Sequence, residues 1–237
     1  MTLLPLKHRE LAYAHLAGSG LEIGALHEPA KVGPACKVSY FDAVTESDAA
    51  RLFPEIPAEK LVHVDYLGDL DRGGLAQFGD GSFDFVIANH VLEHVSNPIG
   101  AVRELFRIVK SDGCVLIAIP DKEYTFDRGR APTPYAHLWQ DYLNGTTESD
   151  DAHYEDFLRS AAPHIFSEPP ENVRHHIARA RERREHAHVW TSQTFREFLE
   201  ETYARLQIPA ELLFESRAIE NQIEYSSVWR KTEHAAI

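Results

Sequence analysis

The residues best suited to chemistry in this 237-residue chain stand in one pentad, His90-Val-Leu-Glu-His94. Two imidazoles and a carboxylate so close together offer two kinds of work. A histidine, with an ordinary pKa of about 6.5, can take a proton from a reacting hydroxyl near neutral pH. A Glu-His pair can hold a divalent cation, which lowers the pKa of a bound hydroxyl directly. A further ligand is available at His186 or His188, in the run His186-Ala-His-Val-Trp-Thr191. Mg²⁺ prefers oxygen ligands, so a shell this rich in histidine leaves the identity of a cation open. The pentad also matches the His-x-x-Glu-His of some zinc peptidases, but those carry it on a helix. Here it follows an apolar strand pattern, and Asn97-Pro98 opens a helix only afterwards. The bland alternative is that these side chains do no more than cap a turn.

Other candidates lie where apolar runs end. Gly20-Leu-Glu-Ile-Gly-Ala-Leu-His-Glu-Pro29 reads as a short buried strand that stops at Gly24-Ala25. Small residues there let backbone N–H groups approach a ligand closely. Asp42 closes the next apolar run, at a spacing that suits a carboxylate gripping ribose hydroxyls in a βαβ nucleotide fold. Asp65-Tyr66 closes a third run and Asn89-His90 a fourth. Asp121 and Tyr124 follow a fifth run, and His137, Asp141, Tyr142, His153 and Tyr154 come next. Together these carboxylates and aromatic rings suit a sugar, which has apolar faces and many hydroxyls. Arg174–Arg184 holds five arginines and two adjacent histidines. It reads as a solvated helix face, with a patch for an anionic acceptor or an oligomer contact as the sharper alternative.

Positioning these groups requires strands alternating with helices. Apolar spacing predicts a helix over residues 5–17, then strands at Gly20–Gly24, Lys37–Phe41, Leu61–Val64, Phe83–Asn89 and Cys114–Ile119. Thr45-Glu-Ser-Asp48 opens a short helix, and Asn97-Pro98 opens another with the stripe Ala101, Val102, Leu105, Phe106 and Val109. The run Cys114–Ile119 is apolar on both faces, as in a parallel sheet covered by helices. The fold expected is therefore α/β, a doubly wound sheet. Residues 121–190 break the pattern and read as an inserted, substrate-facing cap after the fifth strand. Regular pattern returns in a helix at Ser192–Tyr203, with Phe195, Phe198 and Leu199 inward, and in strands near Glu211–Ala218 and Ile223–Arg230. The expected organisation is one domain over residues 1–237.

Composition narrows the function classes. With 24 basic and 37 acidic residues the net charge is −13, which disfavours sequence-blind nucleic-acid binding and anionic membrane surfaces. No run approaches the roughly 20 apolar residues of a membrane span. Cys36 and Cys114 lack metal or redox spacing and read as reduced thiols, pointing to a cytoplasmic protein. The partner expected is a small-molecule or glycan acceptor, with no nucleic acid and no membrane; a homo-oligomer stays open.

Four stretches resemble class I methyltransferases that use S-adenosylmethionine (SAM), in order and spacing, over residues 18 to about 120. Leu21-Glu-Ile-Gly-Ala25 resembles their first motif. Ser82–Pro98 resembles their fourth strand and following turn, and Arg103–Gly113 their next helix and turn, with Asp42 between. Gly20–Pro29, Asp84–Ile99, Pro120–Arg128 and His186–Thr191 further resemble a bacterial subset of the type 11-like methyltransferases found among glycan-modifying enzymes. In that company the chain is similar to the metal-assisted sugar O-methyltransferases of mycobacterial methylmannose polysaccharide synthesis. The resemblance implies a seven-stranded Rossmann-like sheet ending in an antiparallel strand pair. By position it implies that Glu22, Gly24, Ala25 and Leu26 shape the loop around the methionine end of SAM. Asp42 would hold the ribose, Asp65 and Tyr66 the adenine, and Asn89 and His90 would sit under the sulfonium. Where the family usually has glycine this chain has Leu26. Small-RNA 2′-O-methyltransferases and ubiquinone-pathway O-methyltransferases carry a similar Glu-x-x-Glu-His at the pentad. That likeness implies Glu93, His94 and a cap histidine, most simply His188, around Mg²⁺ or another divalent metal. His90, His94, Asp121, His137 and His188 are the catalytic candidates.

The function expected is O-methylation of a hydroxyl, most plausibly on a sugar or oligosaccharide, by in-line displacement with a histidine base. N- or C-methylation of another small metabolite is the first alternative. An NAD-dependent oxidoreductase is the second, although Gly24-Ala-Leu-His-Glu-Pro29 stands where it would want Gly-x-Gly-x-x-Gly. The third is a non-catalytic protein on the same fold.

Overall fold

The computed structural model of the protein describes residues 6–233. After helix α1 (Lys7–Tyr13) come strands β1 (Gly18–Ile23) and β2 (Cys36–Asp42), helix α2 (Glu46–Leu52), and strands β3 (Tyr66–Leu67) and β4 (Phe83–Asn89). Helix α3 (Pro98–Ile108) leads into β5 (Val109–Pro120). Helices α4 (Tyr135–Asn144), α5 (Asp151–Ala161) and α6 (Pro170–Glu182) follow, then α7 (Ser192–Leu206), β6 (Ala210–Ser216), α8 (Ala218–Asn221) and β7 (Glu224–Lys231). The strands form one seven-stranded sheet in the order β3-β2-β1-β4-β5-β7-β6. Neighbours from β3 to β5 run parallel, and β7 runs antiparallel to both β5 and β6. This is the doubly wound α/β sheet with antiparallel terminal strands that the pattern implied.

Both faces are covered, which explains the unbroken apolar strands. On one face α3 and α7 press Ile99, Val102, Leu105, Phe195 and Phe198 onto Val86, Val115 and Tyr225. On the other, Ala12, Tyr13 and Leu16 pack on Phe85, Ile87, Leu116 and Val228. Two caps act as expected: Thr45 Oγ1 accepts the Asp48 amide and Asn97 Oδ1 accepts the Gly100 amide.

The third strand is a correction. Leu61–Val64 pairs with no strand; Val62 N–H instead donates to the Leu26 carbonyl at 2.8 Å, so this stretch braces the loop after β1. Pairing with β2 begins only at Tyr66. The fifth strand starts earlier than expected, at Val109, and absorbs the Asp112-Gly113 turn as an irregularity with Asp112 at φ +63°. The first helix is shorter than its apolar pattern, Lys7–Tyr13.

Residues 121–190 are mostly helical rather than irregular. Tyr154, Phe157, Leu158, Ile165 and Ile177 give them a small core of their own. Their two ends meet in an isolated bridge between Asp121 and Trp190. Among the described residues no helix is long and apolar enough to cross a membrane.

Candidate active site

The carboxyl ends of β1, β2 and β4 open into one cavity of about 280 Å³. It lies where the strand order reverses between β1 and β4, the usual ligand position in open α/β sheets. Gly24 turns the chain at its floor with φ +66°, and a Cβ there would stand 3.1 Å from Val91 Cγ2. Leu26 follows at φ +47°. The left-handed backbone that a glycine would supply is thus kept, at about 1–2 kcal/mol for a side chain with a Cβ. The leucine itself becomes part of the cavity wall.

Asp42 also lines the cavity, with Oδ1 accepting the Val44 amide at 3.2 Å, and burial pushes its carboxyl pKa up. Phe41, Leu52, Phe53 and Leu70 give the cavity an apolar slot beside that carboxylate. Glu22 lies behind the floor. Its buried carboxylate accepts the Ala30 amide at 2.9 and 3.0 Å, pinning the loop, and burial pushes its pKa up to about 7. Ala25 shapes the same loop through its carbonyl, which accepts the Glu28 amide, and does not line the cavity.

Several expected residues lie elsewhere. Asp65 turns back to accept the Tyr40 amide at 2.8 Å, and the Tyr66 ring packs edge-on against Phe78. Because β3 pairs later than expected, Gly68 and Leu70 take the place in the wall foreseen for Asp65 and Tyr66. The Asn89 amide donates to the Tyr13 hydroxyl at 3.1 Å and is not in the wall. Asp121 is fully occupied: Oδ2 accepts the Ser192 amide and hydroxyl at 2.6 and 2.7 Å, and Oδ1 the Glu123 amide. It anchors the start of α7, is buried and does not line the cavity.

His90 lines the cavity and is held in a left-handed conformation, φ +53°. Its Nε2 lies 2.6 Å from Glu224 Oε2 on β7, so Nδ1 is the nitrogen left to face the cavity. Glu224 is completely buried and also receives Arg9 at 2.7 and 2.5 Å and His8 at 2.6 Å. Burial alone would raise its pKa; the Arg9, His8 and His90 hydrogen bonds overcome this and keep it ionised. Glu224, Arg9 and His8 carry no motif in the sequence, and Glu224 stands 134 positions from His90.

Glu93 is buried next to His94, and neither of its carboxylate oxygens has a hydrogen-bond partner. His94 Nδ1 is taken by the Arg184 carbonyl at 2.5 Å, and His186 Nδ1 by Asp127 Oδ2 at 2.6 Å. One ligand atom from each of Glu93, His94 and His186 can lie within 4.8 Å of the others. Burial lowers the His94 pKa; at His186 burial also opposes the charge, but the Asp127 carboxylate overcomes it and raises the pKa. The donor set fits a divalent cation: two imidazoles turned by partners on Nδ1 and a buried carboxylate lacking any other counter-charge. Of the two cap histidines expected as a third ligand, His186 joins Glu93 and His94 and His188 does not. His188 stands with His137 and His153, and neither His137 nor His188 lines the cavity.

The roof comes from residues 182–185 of the cap. Arg184 pairs with Asp69 through both carboxylate oxygens. Arg183 bonds Glu55 at 2.6 Å and the Leu52 carbonyl at 3.0 Å, and Glu182 bonds Arg51 at 2.7 Å. Arg174, His175, Arg179 and Arg181 are exposed on α6, as a solvated face should be, while Arg183 and Arg184 at the end of the stretch strap the cap to the sheet. Arg184 is also left-handed, φ +51°. Among the described residues, three of the six non-glycine residues with positive φ, Leu26, His90 and Arg184, thus line this one cavity. Such clustering of backbone strain is typical of functional sites.

Comparison with known proteins agrees with this geometry. A family model described as a methyltransferase domain matches residues 6–202. No protein of curated function matches the chain in sequence. Among solved structures, one described as a Zn-dependent alcohol dehydrogenase from Rhodobacter sphaeroides aligns at 13% identity and TM-score 0.56, covering 96% of this chain and 90% of that one. The complex of the Haloferax volcanii Trm112 methyltransferase activator with its methyltransferase aligns at 13% identity and TM-score 0.51, covering 97% and 90%. The CurJ carbon methyltransferase aligns at 13% identity and TM-score 0.46, and the chain spans half of it, covering 98% of this chain and 50% of that one. At 13% identity the dehydrogenase-like structure and the Trm112-associated one show a shared fold and no more. The family model, matched over most of the sequence, decides between them: the chain belongs to the methyltransferase-domain family and is a class I, SAM-dependent methyltransferase.

Proposed function

We propose that the enzyme methylates a hydroxyl group of a sugar or oligosaccharide, with a divalent cation held by Glu93, His94 and His186. The observation that carries this reading is the buried Glu93 carboxylate, unpaired and flanked by two imidazoles fixed through Nδ1. A cation bound there supplies Lewis acidity toward the acceptor oxygen. Two histidines and one carboxylate suit Mn²⁺, Fe²⁺ or Zn²⁺ better than Mg²⁺. In this reading Asp42 grips the ribose of SAM, the Phe41–Leu70 slot receives its adenine, and Gly24 and Leu26 border its methionine end.

His90 is the base. Methyl leaves sulfur as the acceptor oxygen bonds to it, and the hydroxyl proton passes to His90 Nδ1. Glu224, on Nε2, orients the ring and stabilises the imidazolium that results. The Phe126 ring supports a sugar acceptor: it is half exposed and lies 5.0 Å from the His186 ring, available to the apolar face of a pyranose.

Transfer of labelled methyl from SAM to a panel of methylated and unmethylated mannosides tests the reading. Transfer to a glycan hydroxyl is expected, abolished by EDTA and restored by divalent metal. Turnover on an amine with none on any glycan would overturn the acceptor, and full activity in EDTA would overturn the cation.

A further inference from the structure

A second cluster of metal-type ligands lies outside the cavity. His137 on α4, His153 on α5 and His188 on the return segment bring one ring nitrogen each to within 4.8 Å of the others. His188 is fully buried, and neither of its ring nitrogens has a hydrogen-bond partner. An unpartnered imidazole with no access to water costs on the order of 1–3 kcal/mol, so its persistence needs a reason. His153 is turned by a carboxylate: Asp150 Oδ1 lies 2.7 Å from its Nδ1, leaving Nε2 as the lone pair. That Nε2 lies 3.0 Å from His137 Nε2. Asp141, one turn along α4, brings Oδ2 to 3.2 Å from the same His137 nitrogen.

We propose that His137, His153 and His188 form a second divalent-metal site, of zinc type, with Asp141 orienting His137 beside it. Nitrogen ligands of one tetrahedral zinc, at about 2.0–2.1 Å from the ion, stand about 3.3 Å apart. The cluster needs only small side-chain movements to reach that spacing. Three imidazoles select a d-block ion over Mg²⁺ or Ca²⁺. The ligands come from three separate segments outside the cavity, so the work of the site is structural: it clamps α4 and α5 to the segment that carries His186. The Glu93 carbonyl accepts the amides of both Ala187 and His188, at 2.8 and 3.1 Å. Fixing His188 therefore also fixes the backbone that presents His186 to Glu93.

The test is zinc content and thermal unfolding of the full chain, stripped with chelator and reloaded with Zn²⁺ or Co²⁺. Wild type, His153→Gln and His137→Gln are compared, both substitutions lying at positions partly open to solvent. Each variant is expected to hold one tightly bound zinc fewer per chain than wild type, whatever the Glu93 site holds, so this result is separate from the EDTA test of activity. Zinc should raise the unfolding temperature of wild type and not that of the variants. The Co²⁺-loaded wild type should show the intense visible absorption of a tetrahedral site, missing from both variants. Asp150→Asn, which keeps the ligands and loosens one, should weaken affinity by roughly 10–100-fold. Folded variants with undiminished zinc, or a wild type that takes up none beyond what Glu93→Gln removes, would overturn the proposal.

Discussion

The two sides of the cavity are assembled differently. On the donor side the shaping contacts are short along the chain: Glu22 reaches Ala30, and Asp42 reaches Val44. On the acceptor side they are long: His90 reaches Glu224, His94 reaches Arg184, and His186 reaches Asp127. The donor side can take its shape from β1, β2 and the loop that joins them, whereas the acceptor side exists only when the cap and the last strand have docked. If SAM lies on the first side and the acceptor on the second, as proposed, binding and chemistry can each be perturbed without the other.

The largest effect should come from His90→Asn, which keeps a polar ring-sized group and removes the base. We expect kcat to fall by roughly 10²–10⁴-fold, with SAM affinity by calorimetry unchanged within a few-fold. A collapse of SAM binding instead would show that the two sides are not separable.

Next is Glu22→Gln, confined to the donor side. In the folded chain the Glu22 pKa is up at about 7, against an ordinary 4.5. The folded protein therefore keeps a proton that the unfolded chain has lost. Stability from this group is greatest below the ordinary value, declines as pH rises toward about 7, and is flat beyond. The total swing is on the order of 3 kcal/mol at about 1.4 kcal/mol per unit. Glutamine has no such swing. Urea unfolding of the two proteins at several pH values should show wild type losing ground to the variant as pH rises, and parallel curves would refute the assignment.

The smallest is Leu26→Gly. It relieves left-handed strain but gives up wall surface and adds chain entropy, so stability should change by less than about 1 kcal/mol. SAM affinity should shift several-fold while kcat at saturation stays put. A fall in kcat would place Leu26 on the acceptor side.

What the sequence made legible follows the same division. The alternating apolar runs located six of the seven strands within a few residues, and Asn97-Pro98 and Thr45 located two helix starts, because these signals are local. Leu61–Val64 misled because its pattern is strand-like while its backbone partners, Ala58 and Leu26, belong to a turn and a loop. That displacement moved the wall from Asp65 and Tyr66 to Gly68 and Leu70. Asp121 looked available because nothing near it in sequence announces that Ser192 would consume Oδ2. His186 and His188 are nearly adjacent in the chain, and on a straight extended segment residues two apart would share a face; they point into different clusters because the chain bends at Ala187 between them. Glu224 was invisible for the plainest reason: its partners His8, Arg9 and His90 are all in the first half of the chain.

That last contact sets an order of events during synthesis. Translation delivers the N-terminal residues first, and domains begin to organise as they emerge. A nascent chain that has reached the end of β5 already contains Gly24, Leu26 and Asp42, the pieces of a donor pocket. It has no Glu224, so His90 lacks the carboxylate that aims it, and Arg9 lacks its counter-charge. With His90 as the proposed base, methyl-transfer competence arrives last, when β7 takes its place between β5 and β6.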